Sequence, residues 1–363
     1  MEIAVMGGGH GCYAAASEAA EAGHNVRFWR RDVDGFRAVL EKGAITINDH
    51  RGRRDIPVAL ATTDVAEAME GADLILSPLP ATAQQGISEI MAPHLKDGMV
   101  VFIPPGSFGS YVMARNVRDS GNNADICFGE AGTLPWLVRK QKDGSTRITT
   151  RTARLPTGIF PASSSQHAFS IIKNVFPEAE LRRDALDAAL LNYGPIIHSP
   201  LILMNAGPLN HFEVWDIHNE GTQPVIRNVQ DALDAERIAV RETLGYGSPH
   251  FPLSDHYNRK ANGELMYSLT SHDKLVDSSD WREDIDLFTH RYMLEDIAFG
   301  LALLVSLGDW TGIPCPVAAG LLSIGGAAIG KNFRANGRTI ESLKLQSTSV
   351  EKLQTLLHDG FND

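Results

Sequence analysis

The sequence predicts an α/β fold class, in which an N-terminal domain with a parallel sheet precedes a mostly α-helical C-terminal domain. In the first half, short apolar runs alternate with amphipathic segments, a pattern typical of a doubly wound sheet with helices on both faces. From about residue 181 the strand signals nearly vanish and long helical periodicities follow. We therefore expect two domains, over residues 1–182 and 183–363.

The first half contains seven apolar runs that predict strands, at residues 2–6, 25–29, 45–48, 56–63, 72–79, 99–104 and 124–129. Helices are expected at 13–22, where alanine is frequent, and at 32–41. The threonine-rich stretch 145–153 predicts a hairpin. In the second half, VIRNVQDALDAERIAVRETLGY and RYMLEDIAFGLALLVSLGDWTG predict long helices, and 247–279 predicts a long loop.

The composition is that of a soluble globular protein, since 43% of the 363 residues are hydrophobic and 21% are charged. The net charge of -11 argues against nucleic acid and anionic membranes as partners, so we expect small molecules. Three widely spaced cysteines without a CxxC pair favour free thiols in a reducing cytoplasm. No targeting segment is visible, and the most apolar later stretch, 297–307, is too short to span a bilayer.

The segment MGGGHGC lies between the first strand and the first helix, where glycines form a phosphate cradle. It fits G-x-G-x-x-G/A with a cysteine in the third place, and it also fits in a register shifted by two residues. The strand, glycine turn and helix predict a Rossmann dinucleotide site. The cofactor contacts expected from this loop are Gly7, Gly9, His10, Gly11 and Cys12.

The end of the second strand bears on which dinucleotide is bound. A site for NAD usually has an acidic residue there, whereas arginine can receive the 2′-phosphate of NADP. Arg30 occupies this position and Arg31 follows it, which favours NADPH over NADH, although both could belong to a solvated turn. Pro80 and Glu130, which follow or end later strands, are further expected cofactor contacts.

In the second half, NYGPIIHSPLILMNAG resembles the opine dehydrogenase family, the octopine, nopaline and N-(carboxyalkyl) amino acid dehydrogenases. Three further segments of this half are similar to the family: GTQPVIRNVQDALDAERIAV, RYMLEDIAFGLALLVSLGDWTGIPCPV and NGRTIESLKL. In the first half, GEAGTLPWLVRK is similar to the family's segment at the domain junction. The resemblance covers nearly the whole chain and is most specific around His198 and Asp296.

The resemblance implies reductive condensation of an amino acid or amine with a 2-oxo acid, through an imine that takes hydride from the nicotinamide. The family's histidine and aspartate pair carries over by motif to His198 and Asp296 as the catalytic residues. Histidine suits proton transfer near neutral pH, although a lone histidine in an apolar context is often structural. Arg139, Asn205 and Arg291 are candidates for binding the substrate carboxylates, with surface ion pairs or a helix cap as the alternative.

Other functions stay open from the sequence alone. Related two-domain enzymes, such as ketopantoate reductase, glycerol-3-phosphate dehydrogenase or hydroxyacid dehydrogenases, use a catalytic lysine, and Lys173 is the lysine near the junction. A protein that binds NADP without turnover would need only the glycines and Arg30. His211 and His218 do not have the spacing of a metal site, so no metal is expected. The apolar runs 298–310 and 321–329 favour a homodimer, or they form the core.

Overall fold

The computed structural model of the protein describes residues 1–258, 263–268, 270–271, 273–274 and 285–361. Its backbone contacts divide the chain into two compact units, Met1–Ala189 with Leu356–Asp363, and Leu190–Thr355. The expected long loop 247–279 lies partly outside the described residues, and its described part includes a short helix, Leu253–Asn258.

The first unit contains the strands of the described chain: β1 Glu2–Met6, β2 Asn25–Trp29, β3 Ala44–Asp49, β4 Gly52–Pro57, β5 Leu60–Thr62, β6 Leu74–Leu76, β7 Val100–Ile103, β8 Cys127–Ala131, β9 Trp136–Lys140, β10 Thr146–Arg151, β11 Leu155–Phe160 and β12 Ala179–Leu181. Eight of them form one sheet in the order β12-β11-β8-β7-β6-β1-β2-β5, and all its pairs are parallel except β8 with β11. The strand order reverses beside β1, so the carboxyl ends of β1 and β6 border the crevice where doubly wound sheets bind ligands.

The remaining strands form a second sheet in the order β4-β3-β10-β9. The expected hairpin at 145–153 is present as β9 and β10, which pair antiparallel. The single strand expected at 56–63 is wrong, because its residues belong to two sheets. Pro57 ends β4, and Ala59 N already donates to Val26 O of the main sheet.

Helices of the first unit cover the main sheet: α1 His10–Glu21, α2 Arg37–Lys42, α3 Val65–Met69, α4 Gln84–Met91, α5 Gly109–Asp119, α6 Ser165–Val175 and α7 Ala185–Ala189. The helix expected at 32–41 begins as a 3₁₀ turn, Asp34–Phe36, and becomes α-helical only at Arg37. Edge-to-face contacts of Phe28 with Tyr13 and Phe36 anchor α1 and this turn to β2.

Helices make up the second unit: α8 Gly194–Met204, α9 Ala206–His211, α10 Pro224–Thr243, α11 Leu253–Asn258, a π-helix Tyr292–Leu301, α12 Ala302–Thr311, α13 Pro316–Ile329, α14 Phe333–Asn336 and α15 Val350–Asp359, whose last residues belong to the first unit. The long helix expected after Arg291 is therefore a π-helix followed by an α-helix. Leu301, Leu303 and Leu304 of the apolar run 298–310 are buried, so this run forms core within the unit. The predicted fold class is confirmed.

A network of charged side chains joins α1 to the second sheet. The Asp49 carboxylate has no exposed surface and accepts from Arg54 at 2.7 Å and from Arg151 at 2.6 Å. Arg54 also pairs with Glu21 at 2.6 Å, and Arg151 pairs with Glu18. Burial raises the pKa of the Asp49 carboxyl, but the hydrogen bonds from the two arginines outweigh it and hold the pKa well below its usual range.

We predict that Asp49→Asn lowers the free energy of unfolding at pH 7 by about 2 kcal/mol, because it removes charge-assisted hydrogen bonds to two arginines. A lowered pKa in the folded state stabilises above the unfolded pKa of about 3.9 and is lost as the pH falls through the folded value. The difference in melting temperature between variant and wild type should therefore shrink below about pH 4.

Asp55→Asn is the matched control. Asp55 lies on the neighbouring strand and pairs with Lys42, but its side chain is 51% exposed. Its replacement should change the melting temperature much less. Equal effects of the two variants, or a difference at Asp49 that does not shrink at all as the pH falls below about 4, would contradict the buried network as the source of stability.

Candidate active site

The glycine loop lies at the carboxyl end of β1, and its glycines meet different constraints. Gly7 has φ +125°, and a Cβ there would stand 2.6 Å from Leu79, so only glycine fits. Gly11 lies against Pro78 and Leu134 at the start of α1. A Cβ on Gly9 would meet nothing within 4 Å, so this residue faces open space at the N-cap of α1. The loop thus leaves room for a ligand at Gly9, where the helix dipole favours phosphate.

Arg30 lies across this loop at the end of β2. A Cβ on Gly8 would come within 2.5 Å of its Cδ, so the side chain packs directly on the glycine backbone. The guanidinium donates to Gly35 O at 2.7 Å and pairs with Asp32 at 2.6 Å. Its side chain is only 18% exposed, so the solvated turn does not describe Arg30, whereas Arg31 is exposed.

The other expected cofactor residues have separate placements. His10 is exposed at the first position of α1, and Pro80 is exposed after β6. Cys12 is fully buried, and burial raises the pKa of its thiol to about 12, so it packs as a neutral side chain. Gly9 and Arg30 fit a dinucleotide, one by leaving space for the pyrophosphate and the other by bringing a positive charge to the ribose end.

Glu130, an expected cofactor contact, makes hydrogen bonds within the first unit. Its carboxylate is buried in β8 and accepts from Phe108 N at 2.7 Å and Ser110 N at 2.9 Å. These N–H groups lie at the start of α5, so the carboxylate caps a helix whose preceding residue, Phe108, has a left-handed backbone. The described contacts therefore give Glu130 a place in the framework of the first unit.

In the second unit, His198 on α8 and Asp296 on the π-helix lie side by side. His198 Nδ1 and Asp296 Oδ2 are 2.8 Å apart, and the two side chains are 15% and 6% exposed. Burial raises the pKa of the Asp296 carboxyl to about 7, against the opposing effects of Arg291 and His290. Burial therefore favours the protonated form of the Asp296 carboxyl.

Two glycines let α8 and the π-helix approach closely enough for this contact. A Cβ on Gly194 would stand 2.3 Å from Asp296 Oδ1, and one on Gly300 would stand 2.0 Å from Pro195 Cγ. Sequence reasoning missed both. The available signal was a glycine inside an apolar helix, which costs about 1 kcal/mol relative to alanine and so calls for a packing reason.

Tyr292 and His218 complete the surroundings of His198, and the sequence analysis did not assign either of them to the site. The ring of Tyr292 lies parallel to the imidazole of His198, with 3.7 Å between the ring centroids. The Tyr292 hydroxyl is 3.2 Å from His218 Nε2. Nothing in the local sequence signals these contacts, because His218 comes from a different segment of the chain.

Arg291 precedes the π-helix, in which residues five positions apart lie on one face because the hydrogen bonds run from i to i+5. Arg291 lies near enough to Asp296 for its charge to lower the pKa of that carboxyl. The Arg291 side chain is 57% exposed, and its Nε is 4.0 Å from a Glu295 carboxylate oxygen. Guanidinium groups form paired hydrogen bonds with carboxylates.

Of the other two expected substrate contacts, Asn205 belongs to the second unit and Arg139 to the first. The Asn205 amide donates to Leu201 O at 2.8 Å and Gly221 O at 3.1 Å, and it accepts from Trp215 Nε1 at 3.0 Å. Asn205 thus ties the segment after α9 to α8, which corresponds to the structural alternative. Arg139 belongs to β9 of the first unit, where its guanidinium donates to Val138 O.

None of the helices in the described ranges has the length and apolar character needed to cross a bilayer. Within the same part of the chain, no cluster of three or more His, Cys, Asp or Glu side chains is arranged to hold a metal ion. The three cysteines are buried thiols.

Comparison with known proteins extends these observations. A family model described as the alpha-helical domain of NAD/NADP octopine/nopaline dehydrogenase matches residues 181–329. A second model, the N-terminus of NAD-dependent glycerol-3-phosphate dehydrogenase, matches residues 2–104. The opine dehydrogenase of Arthrobacter sp. (strain 1C) is 24% identical over 355 residues, which covers 97% of each chain.

Solved structures share the fold at low identity. An octopine dehydrogenase in complex with NADH and agmatine superposes with a TM-score of 0.72 at 17% identity, over 99% of this chain and 98% of that chain. Yersinopine dehydrogenase with NADP⁺ bound superposes with a TM-score of 0.66 at 13% identity and the same coverage. The resemblance drawn from the His198 segment is confirmed: residues 181–329 match the helical domain of the octopine/nopaline dehydrogenases, and the comparisons indicate an NAD(P)-dependent oxidoreductase similar to the opine dehydrogenases.

Proposed function

We propose that this protein reductively condenses the amine of an amino acid, or a simple amine, with the carbonyl of a 2-oxo acid. The observation that carries the proposal is the buried contact of 2.8 Å between His198 and Asp296, within the helical region that matches the octopine/nopaline dehydrogenase model. A solved relative holds agmatine with NADH, which is the combination of amine and nicotinamide that this chemistry uses.

The proposed reaction has two stages, imine formation and imine reduction. Amine and oxo acid lose water to form an imine, and the imine then takes a hydride and a proton to become a secondary amine. Reduced nicotinamide supplies the hydride when bound. His198 gives and takes protons through Nε2. Asp296 accepts a hydrogen bond from Nδ1–H and stabilises the imidazolium. The same pair serves both stages because each moves a proton at one carbon–nitrogen centre.

Substrate carboxylates need positive partners. Arg291 is the proposed partner for one carboxylate, since its guanidinium is largely exposed and lies beside the pair on the same helix. Arg139 stays a proposed partner for the other. We assign Asn205 to positioning, because its donors and its acceptor bond within the fold.

NADPH is the proposed preferred cofactor. Arg30 supports this preference because its guanidinium is fixed on the glycine loop by Gly35 O and Asp32, where a 2′-phosphate would meet it. Asp32 neutralises part of that charge, so NADH should still bind. A solved relative carries NADP⁺.

The lysine-dependent alternative loses its candidate residue. Lys173 Nζ donates to Ala179 O at 2.7 Å, which ties α6 to β12. The homodimer stays a prediction, although the run 298–310 that suggested it is mostly buried within one chain. A monomeric mass by light scattering would remove it.

We predict that NADPH is oxidised only when an amine donor and a 2-oxo acid are both present, in an assay with panels of each.

Asp296→Asn should lower kcat by about 10²- to 10⁴-fold, because the imidazole loses the carboxylate that orients it. In the wild type, kcat/KM should fall as the pH drops below about 7, where Asp296 takes up a proton. This acidic limb should move in the variant.

Asp309→Asn is the control, since it makes the same exchange on a carboxylate that is 65% exposed on α12 and should leave kcat unchanged. The melting temperature of Asp296→Asn is measured as well, so that a loss of kcat can be separated from a loss of folded protein. Oxidation with the oxo acid alone would point to a hydroxyacid dehydrogenase, and an active Asp296→Asn enzyme would reject the pair.

Arg30→Asp is predicted to reverse the cofactor preference, measured as the ratio of dissociation constants for NADPH and NADH from quenching of protein fluorescence. Aspartate repels the 2′-phosphate and can accept from the 2′-hydroxyl of NADH. Arg37→Asp, at a residue paired with Asp34 and 63% exposed, should leave the ratio unchanged. A strong NADPH preference that survives Arg30→Asp would show that another residue binds the phosphate.

A further inference from the structure

We propose that Tyr292 is a positioning residue for His198, and that its ring fixes the plane in which the imidazole exchanges its proton. The inference rests on the proposed function, because it concerns the residue that moves the proton in that reaction. It assigns a task to a buried aromatic side chain that neither the motif nor the charge pattern explains.

The hydrogen bond to Asp296 alone does not fix the imidazole. It holds Nδ1 at 2.8 Å from the carboxylate, but the second side-chain torsion of histidine has broad minima, so the ring can still tilt about that bond. The Tyr292 ring lies under the imidazole with 3.7 Å between centroids and 12° between planes. A parallel face at this distance removes the tilt and directs Nε2 along one line.

Tyr292 can serve as a platform because it is itself held in place. Its side chain is 2% exposed, and its hydroxyl is 3.2 Å from Nε2 of His218, which is 8% exposed. The segment that carries His218 is fixed in turn, since His218 N donates to the buried Asp216 carboxylate at 2.9 Å. The ring of His290 packs edge-on against Tyr292 at 4.5 Å. The platform therefore has contacts on its face, its edge and its hydroxyl.

The same helix turn supplies both restraints on His198. Tyr292 begins the π-helix, and Asp296 follows four residues later, so one backbone segment sets both the position of Nδ1 and the ring plane. The electron-rich face of a phenol also attracts a cation, so the stack favours the imidazolium that forms when His198 takes a proton. Orientation and charge stabilisation then come from one contact.

Titratable groups also lie on the elements that pack against α8. From outside α10 these are Asp296, Glu295, His290, Arg291, Tyr292, His218 and, on α9, His211. The helix α10 carries Arg227, Asp231, Arg241 and Glu242, together with Asp234, which pairs with Arg237, and Glu236, which accepts from the N–H groups that begin α13. The helix α13, which also packs on α8, contains no titratable residue.

The test compares Tyr292→Leu, which removes the ring, with Tyr292→Phe, which keeps the ring and loses the hydroxyl. Tyr246→Leu is the matched control, because Tyr246 is a buried tyrosine of the same unit that stacks with Arg241 instead. Each variant is measured for melting temperature, NADPH affinity, the pH profile of kcat, and the pH titration of the His198 imidazole by NMR, assigned with His198→Gln.

We expect Tyr292→Leu to lower kcat by about 10²-fold through loss of orientation, with NADPH affinity unchanged. The midpoint of the His198 titration should move to lower pH, because the imidazolium loses its aromatic partner. Tyr292→Phe should restore most of kcat and the wild-type midpoint. Tyr246→Leu should lower the melting temperature by a similar amount while kcat and the midpoint stay near those of the wild type.

The proposal is overturned if Tyr292→Leu and Tyr246→Leu lose the same activity, or if the midpoint of His198 does not move in Tyr292→Leu. The NMR titration needs no substrate and no turnover. If no tested pair of amine and 2-oxo acid supports NADPH oxidation by the wild-type protein, the proposed function is rejected. The titration would still decide whether Tyr292 controls the His198 imidazole.

Discussion

The hydrogen bond between His198 and Asp296 depends on the close approach of two helix backbones. The helix α8 and the π-helix meet where Gly194 faces the Asp296 carboxylate and Gly300 faces Pro195, and neither place has room for a methyl group. Because protein interiors are close-packed, the helices cannot shift without losing contacts along their whole length. The proposed acid–base role of the pair therefore rests on packing, which brings the two side chains within hydrogen-bond distance.

The same packing sets the protonation of the pair. Taking Asp296 out of water raises its pKa to about 7, and Arg291 and His290 limit the increase. Burial thus favours the protonated carboxyl, whereas the 2.8 Å contact with His198 favours the ionised one. A group that both gives and takes a proton at one centre works best when its affinity for protons matches the working pH.

The sequence predicted those parts of the structure whose signals are local. The strand, glycine loop and helix around Gly9 follow from the order of residues, and His198 and Asp296 follow from a family motif. The division of the segment 56–63 between two strands could not be predicted, because Pro57 ends one strand while the next strand pairs with a different sheet. Glu130 and Asn205 are polar residues near motifs, and only three-dimensional contacts reveal that their side chains hold the framework.

The π-helix shows most clearly where sequence periodicity stops being informative. The apolar residues from 292 to 311 fit an α-helix, since burial on most sides leaves no polar face from which to measure the repeat. The π-helix packs between two helices of the same unit: Ile297 lies against Gly325 of α13, and α8 contacts the π-helix as well. In the wider helix, Tyr292 and Asp296 both contact His198, and Arg291 immediately precedes the helix. A motif can therefore name the acidic residue of the pair, but the hydrogen-bond pattern of the helix determines which neighbours work with it.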